Sequence, residues 1–156
     1  MNQYKTNRNA LIKYLDSQGW NYDIRKDDGE VFLVELGFKS SSKLKHYDLY
    51  VRANERGIRA HAICPIKADR EDYPNVVEYI TRANYGMTMG CFEFDYSDGE
   101  VGFRTYLTSI DGDPEIDNVE WVVDMPGAMF RRYGDGLAKA LMGFGDPEAD
   151  IAAAEA

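Results

Sequence analysis

The sequence predicts an α+β fold: an antiparallel sheet of about five or six strands with helices on one face, in the order α-β-β-β-β-α-β-β-α. Three observations lead there. Runs of alternating apolar and polar residues come in pairs, each pair joined by a short turn sequence: Asp27-Asp28-Gly29, Asn54-Glu55-Arg56-Gly57 and Asp98-Gly99. Connections that short make hairpins, so the paired strands run antiparallel. Three further segments, at the start, middle and end of the chain, place apolar residues at helical spacing.

The first helix is expected over 7–18, capped by Thr6 or Asn7, with Leu11, Tyr14, Leu15 and Gln18 on one face. Gly19 is a fitting terminator, and Trp20 tucks the chain back onto the helix. Strands over 22–26 and 30–39 follow. A three-residue loop ending in Gly29 sets Ile24 opposite Phe32 and Tyr22 opposite Val34; a two-residue turn would set Arg25 opposite Phe32. The first choice gathers Tyr22, Ile24, Phe32, Val34 and Leu36 on one face and is preferred.

The next hairpin spans 46–53 and 58–65. Setting Ala53 opposite Ile58 puts Tyr47, Leu49, Val51 and Ala53 beside Cys64, Ala62, Ala60 and Ile58. The other face then holds Asp48, Tyr50 and Arg52 against Ile63, His61 and Arg59. Pro65 ends the strand because it has no amide to donate. A charged linker over 67–73 leads to a second helix over 73–84, with Asp72 as cap, Pro74 in the first turn, and Val76, Val77, Ile80 and Ala83 as its apolar face.

The strongest local signal is the hairpin over 90–107. Asp98-Gly99 suits a type I′ turn, which would set Tyr96 opposite Val101, Phe94 opposite Phe103 and Phe92 opposite Thr105. Phe92, Phe94, Tyr96, Val101 and Phe103 would anchor the helices. The reverse face would pair Glu93 with Arg104 and Cys91 with Tyr106. An acidic loop over 109–117 has the alternate carboxylates of a calcium loop but Ile116 where glycine is needed and Val122 where glutamate is needed. The last helical segment, 118–144, contains Pro126, which should kink or split it, and Gly127, Gly134 and Gly136, which weaken it. Residues 1–145 read as a single domain and 146–156 as an acidic, alanine-rich tail. There are no long repeats; Asp28-Gly29-Glu30-Val31 and Asp98-Gly99-Glu100-Val101 match as reused turn chemistry.

Composition narrows the function. The chain has 156 residues and a net charge of -9, which argues against nucleic acid, where affinity comes from Lys and Arg on phosphates. No apolar run has the length of a membrane span and no secretion signal opens the chain, so a cytoplasmic location is expected. Cys64 and Cys91 lack metal or disulfide spacing and are expected as reduced core thiols. No metal and no cofactor is called for.

Ile80-Thr81-Arg82-Ala83-Asn84, then Gly90-Cys91-Phe92-Glu93-Phe94-Asp95, Asp98-Gly99-Glu100-Val101 and Phe103-Arg104, resemble the centre of a YbjN-domain protein. That family shows a helix ending near Asn, a Gly-x-Phe strand, a turn Gly and an aromatic-Arg strand. The first helix ending at Gly19-Trp20 and a last helix after an acidic loop are similar too, so the resemblance spans 7–145. It implies the fold of type III secretion chaperones, which are small, acidic, dimeric binders of extended peptides. It also implies a regulatory or chaperone-like role and transfers no catalytic residue.

Candidate chemistry is sparse. His61 lies mid-strand with no nucleophile beside it, and Glu93 has Arg104 opposite, so an ion pair accounts for it better than acid–base work. What remains is the second sheet face, where Leu33, Tyr50, Arg52, His61, Ile63, Glu93, Arg104 and Tyr106 form the candidate partner-binding surface. The expectation is a non-enzymatic, homodimeric interaction domain that binds a protein or peptide through this face or an edge strand. Its dimer contact is expected on the second helix or the open face. The alternative is a ligand-binding domain or enzyme with a pocket between the C-terminal helix and the sheet.

Overall fold

The computed structural model describes residues 2–156. The elements are α1 (Gln3–Ser17), β1 (Asp23–Asp27), β2 (Phe32–Lys39), β3 (His46–Asn54), β4 (Gly57–Ile63), a 3-10 turn (Arg70–Asp72), α2 (Tyr73–Asn84), β5 (Cys91–Asp95), β6 (Glu100–Thr108), α3 (Ile116–Leu141) and α4 (Pro147–Glu155). The strands form one antiparallel sheet in the order β1-β2-β3-β4-β6-β5. The fold class and the element order through α3 are those the sequence predicts, and α4 occupies the stretch expected as a tail. Alternation divides the sheet. Phe32, Val34, Leu36, Leu49, Val51, Ala53, Ile58, Ala60, Ala62, Phe92, Val101 and Phe103 are buried on one face. The helices pack there.

α1 starts a turn earlier than expected. Asn2, not Thr6 or Asn7, is the cap, its side chain accepting from the Lys5 amide at 3.1 Å. Asn7 lies inside the helix and is fully buried. Its Nδ2 donates to the carbonyls of Asn54 and Ser109, both at 2.8 Å, tying α1 to the ends of β3 and β6. Trp20 packs edge-on against Tyr14 and Phe38, as expected.

The 46–63 hairpin has the expected register, Ala53 opposite Ile58 and Tyr50 opposite His61. The two Asp-Gly hairpins do not. In the last one, Phe92 faces Phe103 and Phe94 faces Val101, a shift of two residues. The cause is aspartate side-chain chemistry. Asp95 Oδ1 accepts from the Ser97 amide and hydroxyl, and Asp98 Oδ1 from the Glu100 amide, which opens the turn to four residues. Gly99 keeps the left-handed φ of 80°. Tyr96 therefore sits in the turn, 63% exposed, rather than among the core anchors. Because two is the strand period, every other side chain keeps its face. In the first hairpin, Asp28 Oδ1 likewise accepts from the Glu30 and Val31 amides, and these bonds pull its carboxyl down to about 2. A bulge at Arg25 then sets Ile24 opposite Val34 and Lys26 opposite Leu33. All of β1 is exposed, so Ile24 is not a core residue.

α3 is one continuous helix through Pro126 rather than two. Pro126 has no N–H for the carbonyl of Val122, four residues back. That carbonyl accepts instead from Thr105 Oγ1 of β6, at 2.6 Å and in a buried setting. Two of the helix's glycines admit large neighbours: a Cβ at Gly127 would lie 2.3 Å from Tyr47 Oη, and one at Gly136 2.5 Å from Tyr79 Oη. Tyr79 uses the space to donate to the Tyr133 carbonyl at 2.6 Å. Residues 147–155 form α4, capped by Asp146 and packed on α2 and α3 with Ile151 buried.

The Thr105 hydroxyl has a measurable role. Thr105→Val should cost about 1–3 kcal/mol in chemical denaturation, since it leaves the buried Val122 carbonyl unpaired. In a Pro126→Ala background, where an amide is restored, the same change should cost clearly less. Equal costs in the two backgrounds would show that the proline and the hydroxyl are not coupled.

Candidate functional site

The pairing places three rows of side chains across the uncovered face. The first reads Leu33, Arg52, Arg59, Tyr106; the second Glu35, Tyr50, His61, Arg104, Cys91; the third Gly37, Asp48, Ile63, Gly102, Glu93. All eight residues expected on this face lie in these rows. Two partnerships differ from the expected ones: Arg104 stands opposite Cys91, and Glu93 opposite Gly102. The ion pair survives as a diagonal contact, Glu93 Oε1 lying 3.1 Å from Arg104 Nε. The same oxygen is 3.9 Å from His61 Nε2. Gly102, which sequence reasoning passed over, makes room for this cluster: a Cβ there would stand 2.5 Å from His61 Nε2.

At the other side of the face, Glu35 is held between Arg25, whose Nε donates at 2.6 Å, and the Tyr50 hydroxyl, which donates at 3.1 Å. Burial, reinforced by Glu35, pushes the Tyr50 hydroxyl up. Burial pushes His61 down against the opposing pull of Glu93, which favours the neutral imidazole.

None of this assembles a nucleophile with a base. Cys64 is buried on the opposite face, and burial raises its thiol to about 11. Cys91 is not a core thiol as expected; it is half-buried in the row of His61, two strands away with Arg104 between them. Asp95, on the same face of β5 as Glu93, is occupied by the turn. Asp69, Glu71 and Asp72 bring carboxylate oxygens within 4.8 Å of one another, but on a turn without imidazole or thiolate. The junction of α3 with the sheet is filled by Val119, Val122, Phe130 and Leu137. A cleft of about 850 Å³ lies elsewhere, between the start of α1 and the hairpin tips.

The sheet edges are guarded. Asn84, at the end of α2, accepts from the Phe92 amide at 2.7 Å and donates to the Phe92 carbonyl at 3.0 Å. Its amide thus stands where another strand would pair with β5. β1 is bulged and carries Asp23, Arg25, Lys26 and Asp27. A feature the sequence reading missed is a groove of about 440 Å³ beside α3, lined by Met87, Met89, Trp121, Met125 and Met129. Its signal was present in the four-residue steps from Trp121 to Met125 to Met129 and in the Met-Thr-Met run. Among the described residues, no helix is long and apolar enough to cross a membrane.

Residues 7–139 match the YbjN family model, described as "Putative bacterial sensory transduction regulator". No curated protein and no solved structure matches the chain.

The lowered proton affinity of His61 gives a sign for pH dependence. The unfolded chain takes up the His61 proton as pH falls through about 6.5, while the folded chain resists it, so this contribution to stability is present above that value and lost below it. Melting temperature should therefore drop more between about pH 7.5 and 5 in the native chain than in His61→Gln. Parallel curves for the two proteins would refute the assignment.

Proposed function

The chain belongs to the YbjN family, and from that premise we propose that it is a non-enzymatic interaction domain, regulatory or chaperone-like, which takes a partner protein or peptide on its uncovered sheet face. One observation carries the reading: the sheet buries one face under helices and leaves the other without a cover, and that bare face is rich in Tyr and Arg. Tyr50, Tyr106, Arg52, Arg59 and Arg104 share it with Leu33 and Ile63. Tyrosine and arginine combine contact area with directional hydrogen bonds and are enriched where proteins meet. The guarded edges favour the face over strand addition. The packed junction between α3 and the sheet weighs against a ligand or substrate pocket there.

Self-association belongs to the same proposal. The outward residues of α2 are polar, with Asn75, Glu78, Thr81 and Arg82 exposed, which speaks against that helix as the contact. The methionine-lined groove, next to the 91% exposed Tyr85, offers a second copy an adaptable apolar surface and leaves the sheet face free.

Sedimentation and affinity capture from the native lysate test both parts. The expected results are a dimer at high micromolar concentration, a shift toward monomer in Trp121→Ala/Met125→Ala, and loss of captured partners in Tyr50→Ala and Arg104→Ala. A clean monomer whose captured partners are unchanged by the sheet-face substitutions would overturn the proposal.

A further inference from the structure

Arg52 and Arg59 stand directly opposite each other on β3 and β4. Like charges so placed repel, and proteins usually interleave a carboxylate. Here neither arginine takes part in any of the nine ion pairs among the described residues. The carboxylates nearest in the rows are already engaged, Glu35 by Arg25 and Tyr50, and Glu93 by Arg104. Arg52 Nε is moreover buried without a hydrogen-bond partner. An orphaned buried donor costs free energy and asks for an acceptor.

A hollow lies beside the two arginines. It is lined by Arg52, Asn54, Gly57, Arg59 and Tyr106, measures about 80 Å³ and opens to solvent. A Cβ at Gly57 would collide first with the Leu107 carbonyl oxygen, at 2.0 Å, and would also stand 3.1 Å from Tyr106 Oη. Arg59 and Tyr106 also line a neighbouring trough of about 580 Å³ that reaches Arg104. Two guanidinium groups around one small space match a dianion better than a monoanion: a carboxylate would leave one positive charge uncompensated, whereas a phosphate monoester carries close to two negative charges and three acceptor oxygens.

We propose that this hollow binds the phosphate of a phosphorylated side chain on the protein segment that occupies the sheet face. The inference rests on the sheet-face reading above and adds the chemistry of the segment. The phosphate oxygens accept from Arg52 and Arg59, with the Tyr106 hydroxyl at the rim, and the flanking peptide lies along the trough toward Arg104.

The test follows the arginine Nε–Hε resonances of the isotope-labelled full chain. The titrants are acetyl-Gly-phosphoserine-Gly-amide, its unphosphorylated counterpart and sodium phosphate, with chloride holding ionic strength constant. Saturable shifts of Arg52 and Arg59 are expected with the phosphopeptide, weaker ones with inorganic phosphate and none with the unphosphorylated peptide. Arg52→Gln and Arg59→Gln, checked by circular dichroism for an unchanged fold, should each weaken binding by about tenfold or more. Arg104→Gln should weaken it by less than about twofold. Shifts that fail to saturate, or inorganic phosphate binding as tightly as the phosphopeptide, would overturn the proposal. So would capture of partners that survives both phosphatase treatment and Arg52→Gln yet is lost in Tyr50→Ala, an outcome that leaves the sheet-face reading standing. Capture indifferent to Tyr50→Ala and Arg104→Ala is the distinct failure of that reading itself.

Discussion

The hydrogen bond from Thr105 to the Val122 carbonyl is the constraint on which the helical layer depends. A proline in mid-helix normally leaves a carbonyl with nothing to accept from. Here a sheet residue supplies the donor, so α3 continues for 26 residues over β4 and β6 and presents surfaces to α1, α2 and α4. The sequence of α3 is poor in intrinsic helix formers around Pro126, Gly127, Gly134 and Gly136. What it loses in propensity it regains in contact, because Tyr47 and Tyr79 approach closer to the helix than any side chain at those glycines would permit. The helix is thus held by the sheet rather than by its own preferences.

Two faces with different duties follow from one alternation. The core face is aliphatic and aromatic, with Thr105 as a polar exception that has a partner. The bare face mixes tyrosine with both signs of charge, and most of the charges cancel locally: Arg25 with Glu35, Arg104 with Glu93. Against that background the uncompensated arginines of the first row stand out, the more so in a chain whose net charge is -9.

The parts of this architecture legible in the sequence were those set by periodicity. The register of β3 against β4 could be read because its turn ends in Gly57 and the alternating pattern admits one pairing. The Asp98-Gly99 hairpin was misread by two residues, and the first hairpin by three next to its turn and two beyond its bulge, because Asp28, Asp95 and Asp98 spend their carboxylates on local amides, a competition that spacing alone does not weigh. Faces survived that error, and so did membership of the candidate surface; individual pairings did not, and Glu93 meets Arg104 diagonally for this reason. Tertiary roles of single polar residues were the least visible. Asn7 resembles a cap by type and position, and only the approach of β3 and β6 turns it into an interior clamp. Gly102 reads as an ordinary strand glycine until His61 is seen over it. The methionine groove needs α3 and the 85–90 segment side by side, two stretches more than thirty residues apart in the chain.

The amide of Asn84 has a consequence for the lifetime of the domain. It matches the Phe92 N–H with an oxygen and the Phe92 carbonyl with a nitrogen, so it works only as an amide. Hydrolysis of that side chain to aspartate, the commonest spontaneous damage to asparagine, would set an oxygen against the carbonyl and release this stretch of β5. An aged molecule would then expose backbone that the fresh one keeps satisfied, and its sheet could be extended by a neighbouring chain. One side-chain amide therefore stands between the edge of β5 and pairing by a neighbouring chain.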